Sequence, residues 1–423
     1  VDKYYCCEHH PEHIDLAAVG TSDFGQYLEK LTREIWEKKA IEKGYDPELV
    51  KAYGSQLSKA VDKGYPKIEA DFSMEDQKKI HSLKNNVWQF STAKTYTQLK
   101  QMSDALVAPD GKLRTFDEFR IQAALISGEQ LRHLKTEYQT AVAGAQMASK
   151  WVEIQRMKST YPLLQFIAVE DEHTTALCRS LDGVIRPVDD SLWQQFYPPN
   201  HYNCRSTVKQ LRKGEVTSDD DVVRPDIPNI FKVNLGERGL AFPEDHAYFT
   251  GTPVEVLKDA RQHFPYAMQF NILDETDELK GIIRQHYLVD TKASDYSRLL
   301  QIAKAKATKD KTIVDIMPTL DPDTYKAQRA IIFPDAKEGK SADLRIDKIL
   351  WEEEFSTKSH NVNNIKHAIG AGSKQANHII ITLSEEIDRL ILDRLVNGRW
   401  RDHKDLKTII FRFNDTEVVY NRP

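Results

Sequence analysis

FIAVEDEHTTALCRSLDGVIRPVDDSLWQQFYPPNHYNCRSTV, residues 166–208, is the stretch on which the reading of this chain turns. It carries Cys178 and Cys204, two of the four cysteines, together with His173 and His201, the turn Leu181-Asp182-Gly183, the pair Pro198-Pro199 and the run His201-Tyr202-Asn203-Cys204-Arg205. Residue chemistry alone leaves three readings open. His201-x-x-Cys204, with Cys178 and either His173 or Asp171, has the donor types of a tetrahedral zinc site. A cysteine nucleophile with His201 as its base is the second, and buried side chains that tie loops together by hydrogen bonds are the third.

Working outward, the residues before this hub read as helices. Phe24, Tyr27, Leu28, Leu31, Ile35 and Trp36 recur at intervals of three and four, and further helical patterns span residues 47–62, 73–102 and 115–157. Ser73 followed by Met-Glu-Asp is an N-cap with an acidic first turn, Pro109-Asp110-Gly111-Lys112 is a turn, and Thr115-Phe116-Asp117-Glu118 is a capping box. Small residues along the last helix, among Tyr138, Val142, Ala145, Gln146, Ser149 and Val152, fit an ordinary core helix with Ala at its contacts, and otherwise close helix packing or a partner helix. Within the hub, residues 163–169 read as a buried strand, 171–181 as a helix and 184–188 as an edge strand because of Pro187.

After Lys213 the composition changes. GEVTSDDDVVRPDIP, residues 214–228, reads as a linker, and strand-like fragments such as 231–234 precede a helix over 253–264. From Asp274 a third region shows helices at 294–307, 363–374 and 385–397. Strands fall at 312–316, 343–346, 349–355, 378–383, 407–413 and 417–420, giving a small α+β domain with one sheet. The expected organisation is therefore α+β and multidomain: a polar tail over 1–20, a helical domain over 21–213 that includes the hub, a connecting segment over 214–273, and an α+β domain over 274–423.

Composition narrows the function classes. A chain of 423 residues exceeds one ordinary core. Its formal charge of -5 argues against a protein basic over its whole surface, as a dedicated nucleic-acid binder would be. No apolar run reaches the roughly 18 residues of a membrane span, and residues 1–13 lack the apolar core of a signal peptide, so a reducing cytoplasm is expected. The tail places Cys6, Cys7, His9, His10 and His13 together, although adjacent cysteines lack the spacing of a zinc knuckle.

The pattern Asp171-x-His173, Cys178, Leu181-Asp182-Gly183 and Pro198-Pro199-x-His201-x-Asn203-Cys204-Arg205 resembles the head-morphogenesis family of tailed phages and prophages, the Mu F-like proteins. The resemblance covers roughly residues 20–250. Ser206 departs from it, standing where the family has a last cysteine, and so does His173, where Arg is common. It implies a minor capsid protein in the bacterial host cytoplasm and the virion head, partnered by portal and capsid proteins while the head is assembled and loaded with DNA. Asp171, Leu181, Gly183, Pro198, Pro199, Asn203 and Arg205 are its motif positions, with Cys178, His201 and Cys204 as candidate zinc ligands.

Residues 341–346, Trp351-Glu352, 364–369 and 374–381 resemble the toxin nuclease tips of contact-dependent-inhibition proteins, of the barnase/colicin/RelE-like RNase type. By residue chemistry, Asp343 and Glu352 on neighbouring strands could share a divalent metal. Relatives carry Glu-x-Lys on the second strand, whereas here Glu354 takes the lysine position, leaving Lys358, Lys366 or Lys374 to supply a positive charge. Metal-free RNA cleavage would instead use His367 or His378 as base with Lys366 or Lys374 on the phosphate. A helix face kept only for docking is the third reading. A ribonuclease or tRNase toxin effector, delivered by the N-terminal region, is thus the alternative to a head protein.

Overall fold

A computed structural model describes residues 24–39, 41, 43–66, 72–273 and 281–422. The tail cluster of Cys6, Cys7, His9, His10 and His13 lies outside the described residues, as does the start of the third region at Asp274. The chain divides into two compact units, Val1–Phe264 and Pro265–Pro423, in keeping with an α+β, multidomain chain.

The first unit is built on four helices: α1 (Phe24–Lys38), α2 (Pro47–Gly64), α3 (Met74–Asp104) and α4 (Phe116–Met157). Their starts are chemically determined. The Asp46 side chain accepts from Leu49 N at 2.9 Å ahead of Pro47, and Ser73/Asp76 and Thr115/Glu118 each form a reciprocal capping box. In α2, Leu49, Val50, Tyr53, Leu57, Ala60 and Val61 are all buried, which is the spacing of a helix wedged between neighbours. The last residue of α2, Gly64, lies so close to α4 that an added Cβ would overlap the Val142 carbonyl and press on Ala145. The small residues of α4 thus serve close helix packing inside the chain.

Polar groups buried in this bundle are matched rather than excluded. Lys94 Nζ, fully buried, donates to Glu137 at 2.9 Å and to Gln130 at 3.1 Å, and lies near the rings of Tyr53 and Tyr248.

After α4 come β1 (Leu163–Ile167), α5 (Ala176–Leu181), β2 (Ile185–Pro187), α6 (Leu192–Phe196) and β3 (Thr207–Leu211). The three strands form an antiparallel sheet in the order β2-β1-β3, so Pro187 does lie on an edge strand. The expected helix over 171–181 begins only at Ala176. Asp171 instead turns its carboxylate onto His173 N and the Thr174 hydroxyl, and Thr175 provides the cap.

The segment 214–273 does not behave as a linker over its first fifty residues. Val222, Ile227, Phe231 and Leu235 join the buried core made by Trp151 and Ile154 of α4, Leu164 and Phe166 of β1, and Trp193 and Tyr197. Residues 231–234, expected to be strand-like, form a 3₁₀ turn ending at Phe231 and the Asn234 cap of α7 (Leu235–Arg238). Asn86 of α3 then clasps the chain, accepting from Ala241 N and Phe242 N at 3.0 and 2.8 Å and donating to Phe242 O at 3.0 Å, while Phe242 stacks on Phe90. Two short helices, α8 (Ala247–Thr250) and α9 (Val254–Ala260), complete the unit.

The second unit contains β4 (Phe270–Ile272), β5 (Ile282–His286), α10 (Tyr296–Asp310), β6 (Ile313–Ile316), α11 (Lys326–Ile332), β7 (Leu344–Ile346), β8 (Ile349–Ser356), α12 (Val362–Gln375), β9 (His378–Leu383), α13 (Arg389–Asp402), β10 (Thr408–Phe413) and β11 (Thr416–Asn421). All eight strands form one mixed sheet, running β11-β10-β9-β8-β7-β6-β5-β4. The expected strands are those from β6 onward; β4, β5 and α11 carry too short an apolar pattern to stand out in the sequence. Ile379 and Ile381 pack with α12 and α13, and Ile380 packs with the residues of α10. A strand covered on both faces loses polar alternation, which is why β9 reads as an unbroken isoleucine run.

Candidate functional site

The hub gathers its unusual residues at one place, between α5 and the loop before β3. Thr175 accepts from Cys178 N at 3.3 Å and starts α5, and that one turn of helix delivers Cys178. Leu181 is fully buried, and Asp182 accepts from Ala168 N at 2.7 Å, fixing the turn to β1. Gly183 has φ +78°, the left-handed conformation that favours glycine. On the opposite side, α6 is locked by Trp193 Nε1 donating to Pro187 O at 2.8 Å, and Tyr197 OH donates to Met147 O of α4 at 2.9 Å. The Pro198-Pro199 bond is cis, and Asn203 takes a positive φ of 56° in the loop that holds His201 and Cys204 against α5.

Cys178 Sγ lies 3.2 Å from His201 Nε2 and 3.8 Å from Cys204 Sγ, and all three residues are buried. The three donor atoms lie within 4.8 Å of one another. His201 Nδ1 is 2.8 Å from the Tyr202 carbonyl, so that nitrogen carries the proton and donates, leaving Nε2 with a lone pair. The Cys204 thiol is held below its ordinary value, at about 7, first by its hydrogen bond with Cys178 and then by the Asn200 and Ser206 backbone N–H groups, against the opposing effect of burial. The Cys178 thiol is pushed up by that same bond and by burial. Burial pulls His201 down, but the hydrogen bond and charge of Cys178 outweigh it and leave it raised. Both cysteines are free thiols.

Arg205 forms a two-pronged ion pair with Asp171, Nη1 to Oδ2 at 2.7 Å and Nη2 to Oδ1 at 2.6 Å. His173 is not one of the three clustered donors, but it lines a small cavity beside them with Val169, Thr174, Thr175, Arg205 and Ser206. Sequence reading passed over Thr175 and Asn200, whose signals are an ordinary Thr-x-x cap and a lone asparagine.

The residues singled out in the second unit divide. Asp343 immediately precedes β7, and the Leu344–Trp351 pairing places it opposite Glu352 of β8. Asp343 Oδ2 accepts from Glu353 N at 2.8 Å, and Glu352 Oε1 accepts from Gln375 Nε2 at 2.9 Å while its Oε2 is buried with no partner. Burial above all pushes both carboxyls up; the hydrogen bond from Glu353 N opposes this at Asp343, where the charges of Glu353, Asp295 and Glu354 add to it, and the Asp343 charge adds to it at Glu352. The expected cationic and basic partners are not with them. Lys366, His367 and Lys374 are exposed on α12, whose buried face is Ile365, Ala368, Ile369, Gly372 and Ser373. His378 packs on Trp351 and bonds Thr408, and Trp351 alternates with Glu352, so this histidine belongs to the other face of the sheet. Lys358 is likewise exposed, at the end of β8. Glu354, at the position where a lysine was expected, is raised by burial and lies against Gly372.

A helical domain closed by this three-stranded hub is the class of unit that the fold and the motif define. Residues 81–209 match the family described as Phage Mu protein F like protein, so this part of the chain is a Mu F-like domain. Among similar proteins, a "Mu-like prophage FluMu F protein" of Haemophilus influenzae is 33% identical over 87 residues, 21% of this chain and 21% of that protein. A "Putative capsid assembly protein F" of Escherichia phage Mu is 34% identical over 80 residues, 19% of this chain and 18% of that protein. The match thus spans about a fifth of the length of these curated relatives. No solved structure matches. Among the described residues, no helix is long and apolar enough to cross a membrane.

Proposed function

We propose that this chain is a minor capsid protein of a phage or prophage that acts beside the portal while the head is assembled and filled with DNA, and that its second unit is a nuclease-like appendage. The observation that carries the reading is the coincidence of the family match with the hub. The match runs from residue 81, within α3, to residue 209, inside β3, so it takes in α4 and every motif residue from Asp171 to Arg205. Those residues hold the fold together: Asp171 and Arg205 join two loops, Gly183 takes the left-handed turn, and Leu181 fills the core. Such a rigid knot suits a part that must present one surface to a ring of neighbours. Co-expression with the portal and capsid proteins encoded beside it, followed by sedimentation of heads, tests the reading. The chain should travel with heads; heads of normal yield and DNA content formed without it would refute an assembly role.

A second reading, a ribonuclease toxin delivered by the first unit, is supported by the half-buried Asp343, just before β7, opposite the buried Glu352 of β8. The exposed Lys366, His367 and Lys374 and the acidic Glu354 weigh against a complete catalytic set. Incubation of the full chain with total tRNA, with and without Mg²⁺, decides it: cleavage abolished by Asp343→Asn supports the enzyme, and intact RNA in both samples removes it.

A further inference from the structure

We infer that Cys178, His201 and Cys204 bind one tetrahedral zinc-type ion, whose fourth position faces the small cavity beside Thr175 and Ser206. This goes beyond the assembly reading and does not depend on it.

The donor separations can be set against those of a zinc tetrahedron. Zn–S bonds of about 2.3 Å put two sulfurs about 3.8 Å apart, and with Zn–N of about 2.05 Å a sulfur and a nitrogen lie about 3.6 Å apart. The Cys178 and Cys204 sulfurs are 3.8 Å apart, and Cys178 Sγ is 3.2 Å from His201 Nε2. All three donor atoms lie within 4.8 Å of one another, close enough for one ion to draw them together.

The surroundings match as well. His201 has its other ring nitrogen committed to the Tyr202 carbonyl, the outer contact that orients a metal-binding imidazole and fixes its tautomer. Two thiolates and a neutral imidazole around a divalent ion sum to zero charge, so the buried site holds no uncompensated ion. Binding replaces two S–H bonds by two metal–sulfur bonds and releases the two protons to solvent. Thiolate and imidazole together select zinc over magnesium or calcium.

The cavity beside the donors is about 10 Å³ and is lined by Thr175, Ser206, His173 and Arg205 among others. That is room for roughly one water molecule. A water there completes four-coordination. Ser206 stands at the rim of that position, so cysteine at 206 would put a third thiolate on the ion.

Titrating the reduced full-length chain with Co²⁺, alongside elemental analysis for zinc, tests this. The expected result is a thiolate-to-cobalt charge-transfer band that saturates near one ion per chain, as a dedicated site requires. It should be lost in Cys178→Ser and Cys204→Ser, kept in the double variant Cys6→Ser/Cys7→Ser, and intensified in Ser206→Cys. Proton release measured on the unaltered chain gives a readout that no misfolded variant can obscure. A chain with native helical circular dichroism that shows no saturable band overturns the proposal, as does a band that survives Cys204→Ser but vanishes in the Cys6/Cys7 variant. An unchanged spectrum in Ser206→Cys overturns the placement of the fourth position.

Discussion

Arg205 grips Asp171 through both guanidinium nitrogens, across 34 residues of chain, with N–O distances of 2.7 and 2.6 Å. Asp171 also accepts from His173 N and Thr174 Oγ1, so one carboxylate organises the entry to α5 and clamps it to the loop that carries Cys204. The Arg205 guanidinium, above all, holds the Asp171 carboxyl well below the usual range. The pair is partly exposed, so its value lies in geometry more than in raw Coulomb energy.

Arg205→Lys keeps the charge and loses the fork. It should lower the thermal midpoint of the chain, as should Asp171→Asn, and the double variant should lose little more than the worse single one. Differential scanning calorimetry of the three variants measures this; additive losses would mean that the two side chains act separately.

The buried Lys94–Glu137 pair behaves differently. Removing one partner strands a charge among apolar groups, so Lys94→Met alone should cost about 3–5 kcal/mol, while Lys94→Met with Glu137→Leu should restore most of it. Urea denaturation of the singles and the double checks this. Equal losses in all three would show that hydrogen bonding by Gln130 and Tyr248, not charge, sets the cost.

His246 is buried and hydrogen-bonds Tyr202 OH through Nε2 at 2.8 Å, while Nδ1 accepts from Tyr248 N at 3.1 Å. Burial, helped by the Lys94 charge, lowers it from 6.5 to about 4. Its folded value lies below its unfolded one, so the stability it contributes is full above pH 6.5 and is lost as pH falls toward 4, by up to about 3 kcal/mol. His246→Asn keeps a capping acceptor that does not titrate. The expected result is a flatter stability profile between pH 6.5 and 4; an unchanged slope would assign the acid loss to other groups.

Glu352 has the opposite sign. Its folded value is raised by burial and by Asp343, so its favourable contribution is present at acid pH and is lost as pH rises above the ordinary carboxylate range. Glu352→Gln preserves an acceptor for Gln375 and removes the charge. It should leave stability near pH 4 unchanged and raise it by roughly 1–3 kcal/mol at pH 8, the cost of a buried group lacking a partner. Destabilisation at pH 8 would instead indicate that a bound cation pairs with the carboxylate.

Much of this architecture is legible in the residues. The Ser73 and Thr115 caps, the helical periodicity and the strand pattern from residue 312 onward are local signals, set by hydrogen bonds within a few positions. The meeting of Cys178 with His201 and Cys204 was legible as donor types, but not as a distance, since it depends on the path of the loop between α6 and β3, where Asn203 takes a positive φ. The segment after Lys213 misled because acidic and proline-rich composition reports exposure, whereas Val222, Ile227 and Phe231 are spaced too irregularly to announce a shared core. On α12, Lys366 and His367 lie within the stretch that resembles nucleases, yet the helix phase set by Ile365 and Ile369 turns them outward.

The most direct test of the account is quantitative mass spectrometry of heads purified from the phage or prophage that encodes this chain. The account predicts its peptides in the head fraction, at a few copies per portal ring, and their loss from that fraction in Arg205→Ala. A chain that is folded and abundant in the same lysate, yet absent from every head fraction, would contradict it.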